Sequence, residues 1–438
     1  MRSREGRGLR AGDVVEAVVE KGVYRGLGLA RHEGQVVFIP RGLPGDRVRA
    51  RVHSTTSGYV KAEAEERLAP GPARRPSPCP FFPACGGCAY QELDYPAQLV
   101  LKEQILRESL SRAGVAWDGE IPVAASPERA WRTRASFHLA EGPEGLRLGL
   151  YAEATHRVVD LPHCLQVSEA MNRTQRALRA ALGEQPRWAR RVRGLDLAES
   201  GDGERLVAAL ETAMAPAEAV SLAPLGDAVP WLTGFGVVAG DERHRRFHLL
   251  RGEPYVDDEV RGRRLRAHVG SFFQGNRFLL GDLVGAVVDL TPRGGTVLDL
   301  YAGVGLFALA LADGADAVAG VELNPIAVED ARFNARRAGL TQLRFHQGDA
   351  HDGLASWRVV PGERIVLDPP RTGAGADLVR AIALRRPAGV VYVSCDPPTL
   401  GRDLKTFAAE GYVPDVVRAL DLFPDTFHLE TVVRLVPR

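Results

Sequence analysis

Residues 296–322 read TVLDLYAGVGLFALALADGADAVAGVE, and this stretch decides the fold of the C-terminal part of the chain. TVLDL is an apolar run of strand length, and Tyr301–Gly305 follows it with two glycines. GLFALALADG then has helical length, and AVAGVEL is a second apolar strand. NPIAVEDARFNARRAG reads as the next helix, and LRFHQGDA, RIVLDPP and GVVYVSCDP as further strands. Strands alternating with helices from about residue 268 onward predict an α/β domain, a doubly wound parallel sheet of the Rossmann-like kind.

In that architecture ligands bind beyond the carboxyl ends of the strands. Glycines at 303 and 305 let the backbone approach a ligand, and the helix that follows offers free N–H groups. Glu322, 23 positions after Asp299, ends the next strand, where a carboxylate can accept both hydroxyls of a ribose. Asp349 ends the third strand, where an adenine amino group needs an acceptor. The third glycine of the dinucleotide pattern is missing, and an acidic residue stands four positions before the first glycine. These features look like the S-adenosylmethionine loop of class I methyltransferases rather than a nicotinamide site.

Two strand ends carry the chemistry. Asp368-Pro-Pro-Arg371 ends the fourth strand and resembles a motif of methyltransferases that act on nucleic acids. Ser394-Cys395-Asp396-Pro397 ends the fifth. A cysteine after an apolar run is commonly a core residue. Its place at the functional edge, beside Ser394 and Asp396, points instead to a nucleophile.

Working outward, 438 residues are more than one core supports, so two or three domains are expected. The chain is 45% hydrophobic and 25% charged with a net charge of +1, the composition of a globular protein. It lacks any apolar run of about 18 residues. It also starts without the apolar core of a signal peptide, so a cytoplasmic protein without a membrane partner is expected. Residues 1–70 read as short strands broken by glycines, a small barrel of the OB kind. Residues 1–75 hold 15 Lys and Arg against 9 Asp and Glu, an excess that suits phosphates. APGPARRPSPCP marks a boundary, after which residues 75–265 are expected to form a mixed α+β central domain. Within it, Leu99, Ile105, Leu106 and Leu110 predict a helix over about 95–114, one that could pack on the catalytic domain. Residues 266–438 form the α/β domain.

Cys79, Cys85, Cys88 and Cys164 supply four thiolates apart from Cys395. Ligand count fits tetrahedral zinc or a [4Fe–4S] cluster equally. The spacing, five residues and then two, differs from the three-then-two of radical S-adenosylmethionine enzymes.

LDLYAGVG, LDPPR, SCDPPTLGRDL and HLETVVRL, in this order and with SFFQGN at 271–276, resemble the RNA uracil-C5 methyltransferase family. The resemblance covers essentially the whole chain, with a TRAM-like RNA-binding barrel in front and a cysteine cluster behind it. It implies a Cys395 thiolate that adds to uracil C6, Glu430 as the base that removes the C5 proton, and Asp368 and Gln274 holding uracil and cofactor. It also implies S-adenosylmethionine contacts from Gln274, Tyr301, Gly303, Glu322, Asp349 and Asp368, and a [4Fe–4S] cluster on Cys79, Cys85, Cys88 and Cys164. The expected substrate is large-subunit (23S) ribosomal RNA, with uridine 54 of transfer RNA the alternative. A non-catalytic RNA-binding protein is opposed by the intact Cys395 and Glu430, and a monomer is expected. Two departures stand out: Asp396 replaces the asparagine common in the ribosomal branch, and Leu306 replaces a polar residue after the second loop glycine.

Overall fold

The computed structural model describes residues 8–115, 117–142, 145–240 and 246–438, and the chain divides into two compact units. One runs to Glu108 and takes in Asp425–Phe427; the other holds Ser109–Pro424 and His428–Arg438.

In the first unit, five strands of alternating pattern close into a barrel in the order β1-β2-β3-β5-β4. They are β1 (Val14–Val23), β2 (Leu27–His32), β3 (Gln35–Pro40), β4 (Arg47–Thr55) and β5 (Val60–Ala69). Every second side chain points inward, so Val15, Ala17 and Val19 of β1 meet Val48, Ala50 and Val52 of β4 in the barrel core. The outward set of β4 is basic, but it is neutralised locally. Arg47 and Arg49 each lie 3.0 Å from Glu16, Arg49 also bonds Glu66, and Arg51 lies 2.5 Å from Glu65. These glutamates are among the nine acids of residues 1–75, so the net positive excess of the segment is unchanged by the pairing. The predicted helix forms as α1 (Tyr95–Arg112), with Leu101 and Ile105 packed on Leu43, Tyr90 and Leu93.

The second unit contains two large sheets. After the short β6 (Val123–Ala124) come β7 (Arg134–Gly142), β8 (Gly145–Tyr151), β9 (Val158–Asp160), β10 (Val192–Glu199), β11 (Leu206–Thr212), β12 (Gly234–Ala239) and β13 (Arg246–Gly252). Their order is β13-β12-β11-β10-β7-β8-β9. One face packs on α2 (Glu169–Gly183), whose Met171, Leu178 and Leu182 join Phe137, Leu195 and Phe235 in a core. Single turns α3 (Pro186–Ala189) and α4 (Pro216–Ala219) flank it, and the hairpin β14 (Tyr255–Val260) and β15 (Arg263–His268) follows.

The C-terminal sheet is the expected α/β one. Its strands are β16 (Thr296–Leu300), β17 (Ala317–Glu322), β18 (Leu343–Gln347), β19 (Arg364–Leu367), β20 (Gly389–Ser394), β21 (Tyr412–Leu420) and β22 (Glu430–Pro437). The order is β18-β17-β16-β19-β20-β22-β21-β6. The helices are α5 (Leu280–Leu290), α6 (Leu306–Leu311), α7 (Pro325–Arg337), α8 (Ala350–Ser356), α9 (Ala376–Leu384) and α10 (Pro397–Ala409). Every residue of β20 is buried, the signature of a parallel strand covered on both faces. The chain winds outward from β16 to β18, then crosses back to β19. The strand order thus reverses at β16 and β19, and the crevice that binds ligands lies at their carboxyl ends. Among the described residues, no helix is long and apolar enough to cross a membrane.

Candidate active site

At the reversal point the backbone must turn sharply. Tyr301, Gly303 and Gly305 all take positive φ, at 64°, 53° and 89°. A Cβ on Gly305 would stand 2.5 Å from Leu309 and 2.8 Å from Phe345, so this position tolerates only glycine. Tyr301 has no such excuse and stores strain of order 1–3 kcal/mol, which its surroundings must hold. Two carboxylates do the holding. Asp299, fully buried, accepts from Ala308 N in the first turn of α6 at 2.9 Å, and burial pushes its carboxyl well up. Glu322 accepts from Gly303 N at 2.9 Å and from Asn324 N at 2.7 Å, so it clamps the loop to the start of α7. Each oxygen of Glu322 keeps a second acceptor direction.

Asp368, Cys395 and Glu430 meet because their strands are neighbours. Leu367 pairs with Tyr392 across β19 and β20, and Ser394 with Thr431 across β20 and β22. The residues just beyond these pairs are Asp368, Cys395 and Glu430, three potential anions at one edge. All three line a cavity of about 540 Å³ with Gln274, Tyr301, Gly303, Glu322 and Arg371. Gln274 donates to Asp368 at 2.8 Å.

Three of the acids in the wall are buried, and they respond. Burial raises Asp368 to about 7 against the opposing bond from Gln274. Burial pushes Glu430 well up, with the Asp368 charge adding and Arg371 opposing; its Oε1 is buried without a hydrogen-bond partner. Cys395 is pushed up to about 12, by burial first and by the Glu430 charge second, with Arg371 opposing. Negative charge on Asp368, Glu430 or Cys395 is therefore disfavoured by burial, and nearby cations offset that cost only in part. Asp396 faces away from this set and caps α10, accepting from Thr399 N at 3.0 Å. Asparagine and aspartate cap equally well, which explains why the departure from the family pattern does not disturb the loop.

Two charged groups in the wall, Arg132 and Arg134, are absent from the sequence reading. Arg134, at the start of β7 in the other sheet, lines the same cavity. None of its three buried guanidinium nitrogens has a hydrogen-bond partner. It sits over the Phe273 ring at 5.6 Å, and burial pulls it down to about 10, with Asp258 and Asp330 opposing. A buried cation with no acceptor is an arrangement ready for an anionic or strongly polar ligand atom. Nothing in WRTR, residues 131–134, announces this; the signal is tertiary. Phe272, 71% exposed, adds a bare aromatic ring at the rim.

Two sets of expected site residues are not gathered here. Asp349 is exposed and caps α8, accepting from His351 N at 2.8 Å, and it does not line the cavity. Cys79, Cys85 and Cys88 lie in turns of the first unit, where Gly87 N donates to Cys85 Sγ at 3.4 Å and Gln91 to Cys88 Sγ at 3.5 Å. Cys164 belongs to the second unit, its backbone tied to the Asn172 side chain at 2.8 and 3.0 Å. Among the described residues, no group of three or more His, Cys, Asp or Glu side chains is arranged to hold a metal ion. Donors to sulfur of this kind favour thiolates.

Comparison with known proteins agrees with this geometry. Sequence-family profiles match the TRAM domain at residues 9–64, a methyltransferase domain at 292–360 and tRNA (uracil-5-)-methyltransferase at 353–438. An uncharacterised RNA methyltransferase of Halalkalibacterium halodurans is 31% identical, with 97% of each chain covered. A 23S rRNA (uracil(1939)-C(5))-methyltransferase of Chromohalobacter salexigens is 35% identical over 95% of this chain and 88% of that one. The structure of Pyrococcus abyssi tRNA (uracil-54, C5)-methyltransferase, solved with S-adenosyl-L-homocysteine, superposes with a TM-score of 0.74 at 25% identity. It covers 96% of this chain and 100% of that one.

Proposed function

The chain belongs to the RNA (uracil-C5) methyltransferase family, and we propose that it methylates C5 of a uridine in 23S ribosomal RNA through a covalent Cys395–C6 adduct. The observation that carries the reading is the shared cavity wall, in which a thiol, an unpartnered carboxyl and the glycine loop face one space. Tyr301 and Gly303 of the loop, with Glu322, would hold S-adenosylmethionine, which when bound would supply a methyl group on a cationic sulfur. Asp349, although outside the cavity wall, retains its proposed role as an acceptor for the adenine amino group.

C5 of uracil is a weak nucleophile until something adds to C6. Cys395 forms the S–C6 bond, and the electron pair released toward C5 makes that carbon reactive. A thiol near 12 is not a free thiolate at neutral pH, so cations must arrive with the reactants; Arg134 and Arg371 are the protein's own. Burial favours the protonated form of Asp368, which can donate to a uracil oxygen as charge grows there. Gln274 fixes its orientation. After methyl transfer C5 carries a proton as well as the methyl. Glu430 takes that proton, and the S–C6 bond breaks to release the thiolate. To reach Cys395 the uridine must leave its stack, since attack comes on the ring face.

Cys395→Ala should abolish both methyl transfer and covalent trapping by 5-fluorouridine RNA while sparing cofactor binding; turnover by the variant would sink the mechanism. Transfer RNA uridine is the second reading, favoured by the superposition on the Pyrococcus enzyme. Methylation assays on the two purified RNAs separate them. Cys79, Cys85, Cys88 and Cys164 are proposed as ligands of a [4Fe–4S] cluster on the strength of the family resemblance. Anaerobically purified protein should carry about four irons; zinc, or no metal, would refute it.

A further inference from the structure

An open groove of about 730 Å³ runs along β18, the edge strand of the C-terminal sheet. Arg332 and Arg336 line it from α7, Arg344 and His346 from β18, and Trp357 from the end of α8. No Asp or Glu of the described residues lines it. By contrast, the cavity of about 460 Å³ lined by Arg261, Arg263 and Arg293 contains Asp313, which pairs with Arg263.

Three details make the groove more than a chance cluster. Arg332 and Arg336 stand four residues apart on one helix face, where like charges repel. The Arg332 guanidinium is held by Phe345 O at 2.9 Å, so one cation is fixed and keeps donors to spare. Leu343 and Phe345 point into the core, which turns Arg344 and His346 out to solvent. Cations thus flank the edge strand from the helix and from the strand itself, beside an indole.

We propose that this groove binds the phosphate backbone of the substrate RNA as it leaves the catalytic cavity. Its position supports the path. Gln347, at the carboxyl end of β18, pairs with Glu322 of β17, and Glu322 lines the catalytic cavity. His346, the groove residue just before Gln347, pairs with Val321 of β17, so the groove ends one residue short of the strand pair that reaches the cavity wall. A polyanion is the occupant that neutralises several cations with no acid among them, and guanidinium forks suit phosphate oxygens. Trp357 offers a face for stacking of an unpaired base. The inference rests on the chain acting on RNA.

The test uses full-length protein and two probes, a labelled unmodified stem-loop transcript around the 23S uridine of the Chromohalobacter relative and polyuridylate. Binding is read by anisotropy from roughly 50 to 300 mM KCl. Arg336→Glu with Arg344→Glu should weaken binding of both probes about tenfold or more, and flatten the log–log salt slope by about 1.5, as expected for two lost phosphate contacts. Affinity for S-adenosylmethionine without RNA, and Tm, should not move. Arg336→Lys with Arg344→Lys should keep the slope. Should the glutamates lower Tm, the Arg336→Gln with Arg344→Gln pair reads the same slope. Unchanged affinity and slope in the charge-reversed protein would overturn the proposal, whether the groove then takes an acidic protein or nothing. If wild type ignores the stem-loop but binds polyuridylate, the ribosomal substrate fails and the groove is still decided by the second probe.

Discussion

The barrel wall and the catalytic cavity handle arginine in opposite ways. On β4, Arg47, Arg49 and Arg51 stand in water with glutamates from neighbouring strands within 3.0 Å. In the cavity, Arg134 is buried and its nitrogens have no hydrogen-bond partner. Exposed pairs are screened, so they say little about stability and less about function. A buried unpaired cation is expensive to maintain, and such cost is usually retained for a ligand. The difference teaches that charge count along a chain is a weaker guide to binding than the number of charges left unsatisfied after folding. The carboxyls behave alike: Glu16 answers two arginines in solvent, whereas Glu430 keeps a buried oxygen idle.

Substitutions can break or sharpen that contrast. The largest effect is expected at Glu430. Glu430→Gln should slow product release by about a thousandfold, so that a methylated RNA–protein adduct accumulates on denaturing gels. It also removes a negative charge that raises Cys395. Alkylation of Cys395 by iodoacetamide, which climbs tenfold per pH unit below the thiol's raised value of about 12, should therefore titrate at lower pH in this variant. An unchanged titration would mean that burial alone holds the thiol up.

Arg134→Met comes next. Losing the cation should cut kcat/KM about a hundredfold, or about 2.7 kcal/mol. Relief from a buried unpaired charge should leave unfolding free energy unchanged or higher, by up to about 4 kcal/mol, in denaturant titrations. A variant both inactive and unstable would assign Arg134 to the scaffold. Smallest of all, Arg49→Gln should leave Tm and turnover essentially where they are, because a screened pair contributes little. A marked fall in RNA affinity would show that the barrel arginines exchange their glutamates for phosphates.

Much of the architecture was legible because periodicity is local. The VVYV run of β20 is a buried parallel strand whatever surrounds it, and Gly305 announces a turn that Leu309 and Phe345 make obligatory. Gln274, Tyr301, Gly303, Glu322, Asp368, Cys395 and Glu430 were readable as motif residues, and all face one cavity. Asp349 stands just past the end of β18, as its motif position implied, and one of its oxygens caps α8.

By itself, then, the sequence determined the α/β winding, the barrel and which residue types stand at the strand ends, since each depends on neighbours a few positions apart. Only the tertiary structure decided that Cys395 and Glu430 are adjacent across an antiparallel pair 35 residues apart in number, and that Arg134 enters their cavity from another sheet. It also decided that Asp368, Cys395 and Glu430 are held toward their neutral forms. Burial and Coulomb interactions depend on what packs against a group in three dimensions, and no local pattern encodes that.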